Sequence, residues 1–212
     1  MIMILIWILA FALTITVHEA SHAWTSDRLG DPTARLLGRL SLNPIKHYDP
    51  VGTTLLLVLV IMRSIGIPVI PFGWAKPVPI DPYNLEDPKK DVALISLAGP
   101  LSNMILATFL AIVLRVFPTE IIFTLTYPVI LLNVALAIFN LIPVHPLDGG
   151  KILVGILPKK QAHEIDMFLS QYGMFVLLIL IFPFGGTSLI SSVFTPTISF
   201  ILNLLVPGFG TI

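Results

Sequence analysis

Three features predict an all-α polytopic membrane protein: 56% of the 212 residues are hydrophobic, only 11% are charged, and mean hydropathy is +0.95. A soluble core of this size could not bury so much apolar surface. The apolar residues also gather in long runs, and a hydrocarbon core of about 30 Å needs about 20 helical residues to cross it. Twelve cationic and twelve anionic residues cancel, so no global field would draw nucleic acid. Cysteine is absent, which excludes disulfides, thiolate metal sites and a cysteine nucleophile. Any metal would rest on histidine and carboxylate.

The first run covers residues 1–23. It lacks a basic start and a small-residue cleavage site, and it continues directly into His18 and Glu19, so it reads as a retained span. The stretch 36–45, LLGRLSLNPI, is strand-like and predicts a small β-element. Residues 51–73 are ambiguous. The first half could span, but Arg63, Gly66, Pro68, Pro71 and Gly73 break the second.

Charge favours a re-entrant hairpin there. If the chain dips in and returns, the loops 24–50, 74–91 and 143–163 share one face. That face collects Arg28, Arg35, Arg39, Lys46, Lys76, Lys89, Lys90, Lys151, Lys159 and Lys160, ten of the twelve cations, and the positive-inside rule makes it cytoplasmic. A straight crossing would scatter them over both faces.

Further spans are expected at 92–117, 120–142 and 165–184, and a fifth helix at 187–206. Pro196 should kink that last helix, with Ser191, Ser192, Thr195 and Thr197 able to satisfy the freed carbonyls. The total is five spanning helices plus the hairpin, or six spans if residues 51–73 cross.

Inside the first span, His18, Glu19, Ala20, Ser21 and His22 form a HExxH motif. Residues i and i+4 lie on one helical face, so two imidazoles can meet one zinc, and Glu19 can take a proton from water that the metal acidifies. A shuffled chain of this composition would hold only about 0.002 such motifs. Two histidines and a glutamate are also costly in a span unless paired, metal-bound or wet.

Zinc needs a further oxygen or nitrogen donor at the same depth. At about 1.5 Å per residue, His18 lies about 26 Å from the start of its helix, near the cytoplasmic edge of the hydrocarbon. The 120–142 span enters from the opposite face and ends at Pro143, which brings Asp148 to that edge. Taken alone, Asp148 could equally be a solvated aspartate in a proline-glycine loop.

The HEASH motif, the AGPLSN segment at 98–103 and NLIPVHPLDGG at 140–150 together resemble the site-2 protease family over about residues 14–155. FGWAKPVPI at 72–80 resembles its short-form branch, which lacks appended PDZ or CBS domains. The resemblance implies one zinc on His18, His22 and Asp148, Glu19 as catalytic base, and hydrolysis of transmembrane segments of membrane-protein substrates in regulated intramembrane proteolysis. The hydropathy, the cation count and the depth of His18 make it a multi-pass protein of the cell membrane with its site near the cytoplasmic side. The whole of 1–212 would be one integral-membrane domain, with a catalytic core at about 1–155 and accessory helices at about 160–206. Asn140 matches a family asparagine that contacts substrate or the developing oxyanion; capping the broken helix end is an equal alternative.

His145 departs from the family pattern and is expected to face water or pair with a carboxylate. His163 and Glu164 begin a decoy motif, but Met167 replaces the second histidine, which leaves a helix start. His47, near Asp49 and Asp81, is expected to be solvated, with a second metal the alternative. Gly99 and Pro100 suit close helix packing and a kink. Trp7, Trp24 and Trp74 suit interface anchoring or packing.

Two rival classes use similar residues. A zinc or proton-coupled transporter also places His, Glu and Asp in the membrane, but it has no need of the HExxH register. A different membrane zincin, or a metal-binding relic, would engage loop segments rather than spans.

Overall fold

The structure is a computed structural model that describes residues 2–64, 66–67, 73–182 and 189–207. Its helices are α1 (Ile2–Arg28), α2 (Thr33–Leu36), α3 (Gly52–Ser64), α4 (Pro88–Val116), α5 (Glu120–Asn140), α6 (Asp148–Ile156), α7 (Lys159–Ile181) and α8 (Leu189–Leu205). Among the described residues α1, α4, α5 and α7 are long and apolar enough to cross a membrane, and they coincide with the four expected spans. The expected fifth helix is α8. It has 17 residues, with Pro196 inside it and the Thr197 hydroxyl donating to the Val193 carbonyl at 2.7 Å.

Local chemistry sets the helix starts. Asp87 caps α4 and Pro88 occupies its first turn, where a missing N–H costs nothing. The Thr119 hydroxyl accepts from Ile122 N at 3.3 Å and starts α5.

The packing inverts that of a soluble protein. Leu5, Leu9 and Leu13 of α1 and Leu101, Ile105, Phe109 and Ile112 of α4 point outward and are exposed. Thr14, His18, His22, Asn103 and Asn133 are buried instead. Such faces suit lipid outside and a polar interior. Small residues let the central helices approach: Ala107 and Ala111 of α4 pack with Ile130 and Val134 of α5 and Leu202 of α8.

The two arms of the 51–73 stretch meet at their base. The Thr53 hydroxyl donates to the Trp74 carbonyl at 3.1 Å, and Lys76 N donates to the His47 carbonyl at 3.0 Å. Residues 65 and 68–72, which include Pro68 and Pro71, lie outside the described residues.

The expected β-element is corrected. Among the described residues 36–45 contain no strand: the chain leaves α2, turns, and enters a 3-10 turn at Pro44–His47 that the Asn43 side chain caps. Its neighbour, 74–80, carries Pro77 and Pro79, which have no N–H to donate to a ladder. The two segments are joined instead by the Lys76–His47 backbone bond and by the Arg39 guanidinium, which donates to the carbonyls of Lys76 and Pro77.

His47 is also corrected. It is only 2% exposed, and its Nε2 donates to the Ser41 carbonyl at 2.7 Å. Its 3-10 turn packs against α1. Trp24 is half exposed with the Arg28 guanidinium 5.1 Å above its ring, Trp7 lines an apolar groove, and α7 begins at Lys159 before exposed His163.

Candidate metal centre

His18 and His22 stand one turn apart on α1, and their ring centroids are 4.6 Å apart. Asp148 reaches them from the first turn of α6, immediately after the loop that follows α5. The His18 and His22 Nε2 atoms are 3.0 Å apart, and the Asp148 Oδ2 is 3.2 Å from each. All three residues are buried. Among the described residues they are the one group of three His, Asp or Glu side chains able to hold a metal.

The outer ring nitrogens decide what this triangle can bind. The His22 Nδ1 is 2.7 Å from the Ile95 carbonyl oxygen, which can only accept, so that nitrogen carries the proton. The His18 Nδ1 is 2.6 Å from Asn103 Oδ1. The Asn103 amide nitrogen donates to Asn133 Oδ1 at 2.6 Å and to the Thr14 carbonyl at 3.2 Å, so its oxygen is the acceptor and His18 also donates through Nδ1. Asn133 in turn donates to Thr14 Oγ1 and the Val129 carbonyl, both at 2.8 Å.

With both Nδ1 protons committed, two imine lone pairs and one carboxylate oxygen converge. Asp148 Oδ2 is buried without a hydrogen-bond donor. Three acceptors about 3 Å apart repel one another unless a cation lies between them, and a point about 2 Å from each matches zinc bonds to nitrogen and oxygen. A second carbonyl or amide behind each metal-facing imidazole is the usual way such rings are oriented.

Close backbone approach makes the pocket possible. A Cβ on Gly99 of α4 would lie 2.5 Å from His22 Nε2 and 2.6 Å from His18 Cε1, so only glycine fits against both rings. A Cβ on Gly149 would lie 2.3 Å from the Ile142 carbonyl oxygen, so α6 starts directly on the end of α5. The expected close-packing role of Gly99 is therefore specific: it seats the histidines.

Glu19 follows the first histidine and is half-buried. The Arg39 guanidinium is close enough for the two charges to interact; burial pushes Arg39 below its ordinary value and the Glu19 charge opposes that. Asn140 ends α5, and its side-chain amide donates to the Leu136 carbonyl at 3.1 Å. His145 pairs with a carboxylate, as expected: its Nε2 is 3.0 Å from Asp166 Oδ1. An apolar groove of about 690 Å³ runs between α1, α3 and α5, lined in part by Phe11, Thr14, Leu56, Leu136 and Phe139. One of its lining residues, Thr14, stands one helical turn before His18 on α1.

Sequence reasoning singled out the AGPLSN segment but gave Asn103 no task, and it passed over Asn133 and Thr14. A polar side chain inside an apolar span was the available signal.

A model of peptidase family M50 matches residues 117–182, the stretch that contains α5 and Asp148. The chain is 35% identical over 190 residues to YwhC of Bacillus subtilis, named as a candidate zinc metalloprotease, covering 84% of this chain and 81% of that one. It is 30% identical over 179 residues to Rip2 of Mycolicibacterium smegmatis, named in the same way, covering 82% and 65%. A shorter match, 44% over 77 residues, is to the zinc metalloprotease MJ0392 of Methanocaldococcus jannaschii, covering 36% and 23%. No solved structure matches.

Proposed function

Because this chain belongs to peptidase family M50, the site-2 proteases, and is a multi-pass membrane zinc metallopeptidase, we propose that it hydrolyses peptide bonds in transmembrane segments of membrane-protein substrates. In this reading His18, His22 and Asp148 hold one zinc and Glu19 is the catalytic base. The observation that carries it is the convergence of two Nε2 atoms and one carboxylate oxygen, with both Nδ1 atoms donating elsewhere.

When bound, zinc supplies a Lewis acid that polarises the scissile carbonyl and makes water acidic enough to ionise near neutral pH. Glu19 accepts the proton from that water and later delivers it to the leaving amine. The apolar groove takes the substrate span alongside α1 and α5 and leads its backbone toward Thr14 and His18. A helical peptide bond is shielded by its own hydrogen bonds, so the substrate must unwind locally before attack. Such cleavage would serve regulated intramembrane proteolysis.

The ten-cation face supports a centre near the cytoplasmic side of the cell membrane and a re-entrant reading of 51–73, to which the Thr53–Trp74 contact lends support. In this reading α1, α4, α5 and α7, which are long and apolar enough to cross, span the bilayer together with α8 as the fifth span.

The test is the purified chain incubated with single-span substrates, comparing wild type, Glu19→Gln and chelator-treated protein by mass spectrometry of products. The expected result is cleavage within the span by wild type and a loss of at least about 100-fold in Glu19→Gln, with metal content unchanged. Cleavage confined to loops, or zinc flux into liposomes with no cut product, would instead identify one of the rival classes.

A further inference from the structure

The loop that delivers Asp148 is gripped from outside by α7. The His145 Nε2 lies 3.0 Å from Asp166 Oδ1, and a Cβ on Gly173 would come within 2.5 Å of the His145 carbonyl oxygen. Both are α7 residues, seven positions or two turns apart. On either side of His145, Val144 and Leu147 pack with Leu177 of the same helix.

The other side of His145 faces the metal ligand's own helix. A Cβ on Gly150 would lie 2.5 Å from His145 Nδ1, so the imidazole rests against the first turn of α6, two residues after Asp148. The ring is thus a rigid spacer, held at one edge by the Asp166 carboxylate and pressed at the other on the backbone that carries the Asp148 side chain. An apolar residue in its place could fill the space but could not be anchored by Asp166.

We propose that His145 is a positioning residue that, through Asp166, couples the placement of α7 to the Asp148 carboxylate and so sets the metal affinity of the centre. The proposal rests on the reading of His18, His22 and Asp148 as the metal ligands. It gives α7, which contributes no ligand, a direct hold on one, so any partner or substrate that displaces α7 acts on the metal site.

Affinity and folding are separable here. The Asp166 side chain is 52% exposed, and an ion pair that open to solvent adds little to global stability. Partners behind a metal ligand, in contrast, typically change metal affinity by about 10-fold or more.

The experiment titrates the purified, metal-free full chain with Co2+ against a competing chelator, reads the visible cobalt bands as a signature of ligand geometry, and records the thermal unfolding of the metal-free protein. His145→Ala and Asp166→Ala are each expected to weaken Co2+ binding about 10-fold and to shift the bands, with unfolding of the metal-free Asp166→Ala protein unchanged. The double variant is expected to lose no more than either single one, because the two side chains act as one device. Asp166→Asn keeps an acceptor and is expected to stay near wild type. Wild-type affinity and bands in the alanine variants, additive losses in the double variant, or an Asn variant as weak as alanine would each overturn the proposal. Asp148→Ala separates the underlying reading: undiminished Co2+ binding there would overturn the metal site itself.

Discussion

The amide oxygen of Asn103 lies 2.6 Å from Nδ1 of His18, and the amide nitrogen of the same residue is already donating to Asn133 and Thr14. This pairing ties α4 and α5 to the tautomer of a histidine on α1. Replacing Asn103 with alanine frees the His18 ring to rotate or to move its proton to Nε2. Metal affinity, measured by chelator competition, should fall about 10- to 100-fold. Stability should also fall by about 1–3 kcal/mol, since Asn133 and Thr14 lose buried partners. A folded variant with full affinity would refute the assigned tautomer.

Gly99→Ala should disturb the metal site directly. Alanine favours helix over glycine by about 0.5–1 kcal/mol, so α4 itself gains. Its Cβ, however, would stand 2.5 Å from His22 Nε2, and the rings must shift away from Asp148. The expected variant binds zinc poorly and, because the displaced rings also strain their buried hydrogen bonds, loses about 1–3 kcal/mol of stability; metal analysis after dialysis against a weak chelator measures the first.

Asp31 predicts an acid-sensitive brace outside the spans. Its buried carboxylate accepts from Ser26 Oγ at 3.0 Å, Asp81 N at 2.9 Å, Asn84 Nδ2 at 2.9 Å, and the Thr33 hydroxyl and N–H, so it joins the end of α1 to the turn at Pro82–Asn84. Burial alone would raise its pKa, but the hydrogen bonds from Thr33, Asn84 and Asp81 outweigh burial and hold it at about 2. A carboxyl held below its unfolded value stabilises fully above about pH 4 and loses that contribution as pH falls toward 2. Asp31→Asn should therefore cost on the order of 2 kcal/mol at neutral pH. The gap in unfolding temperature from wild type should close between about pH 4 and 2. A gap that persists at pH 2 would contradict the brace.

The chain contains no cysteine, so single cysteines report topology cleanly. Lys46→Cys and Lys76→Cys should both react with a membrane-impermeant maleimide from the cytoplasmic side, and Glu120→Cys from the other. All three positions are exposed. Labelling of the first two from outside intact cells would reverse the orientation inferred from the cation count.

Much of this architecture was legible because it rests on local rules. Hydropathy located α1, α4, α5 and α7 within a few residues, and helical periodicity alone put His18 and His22 on one face. Asp148 could be matched to them by depth, since span length and direction fix where a helix ends. The strand expected at 36–45 failed because strand propensity says nothing about the partner, and the neighbouring 74–80 segment is broken by Pro77 and Pro79. His47 failed for the same kind of reason: a loop histidine is solvated only if nothing covers it, and its turn packs against α1.

The sequence by itself determined which residues could ligate a metal and the order in which helices carry them through the bilayer, because covalent spacing and hydrophobicity act along the chain. Only the tertiary structure decided that Asn103, 85 positions from His18, holds its proton, and that Gly99 seats both rings. It likewise brought His145 between Asp166 and the helix of Asp148. Those contacts join residues distant in sequence, and hydrogen bonds and steric contact act only over a few ångströms in space.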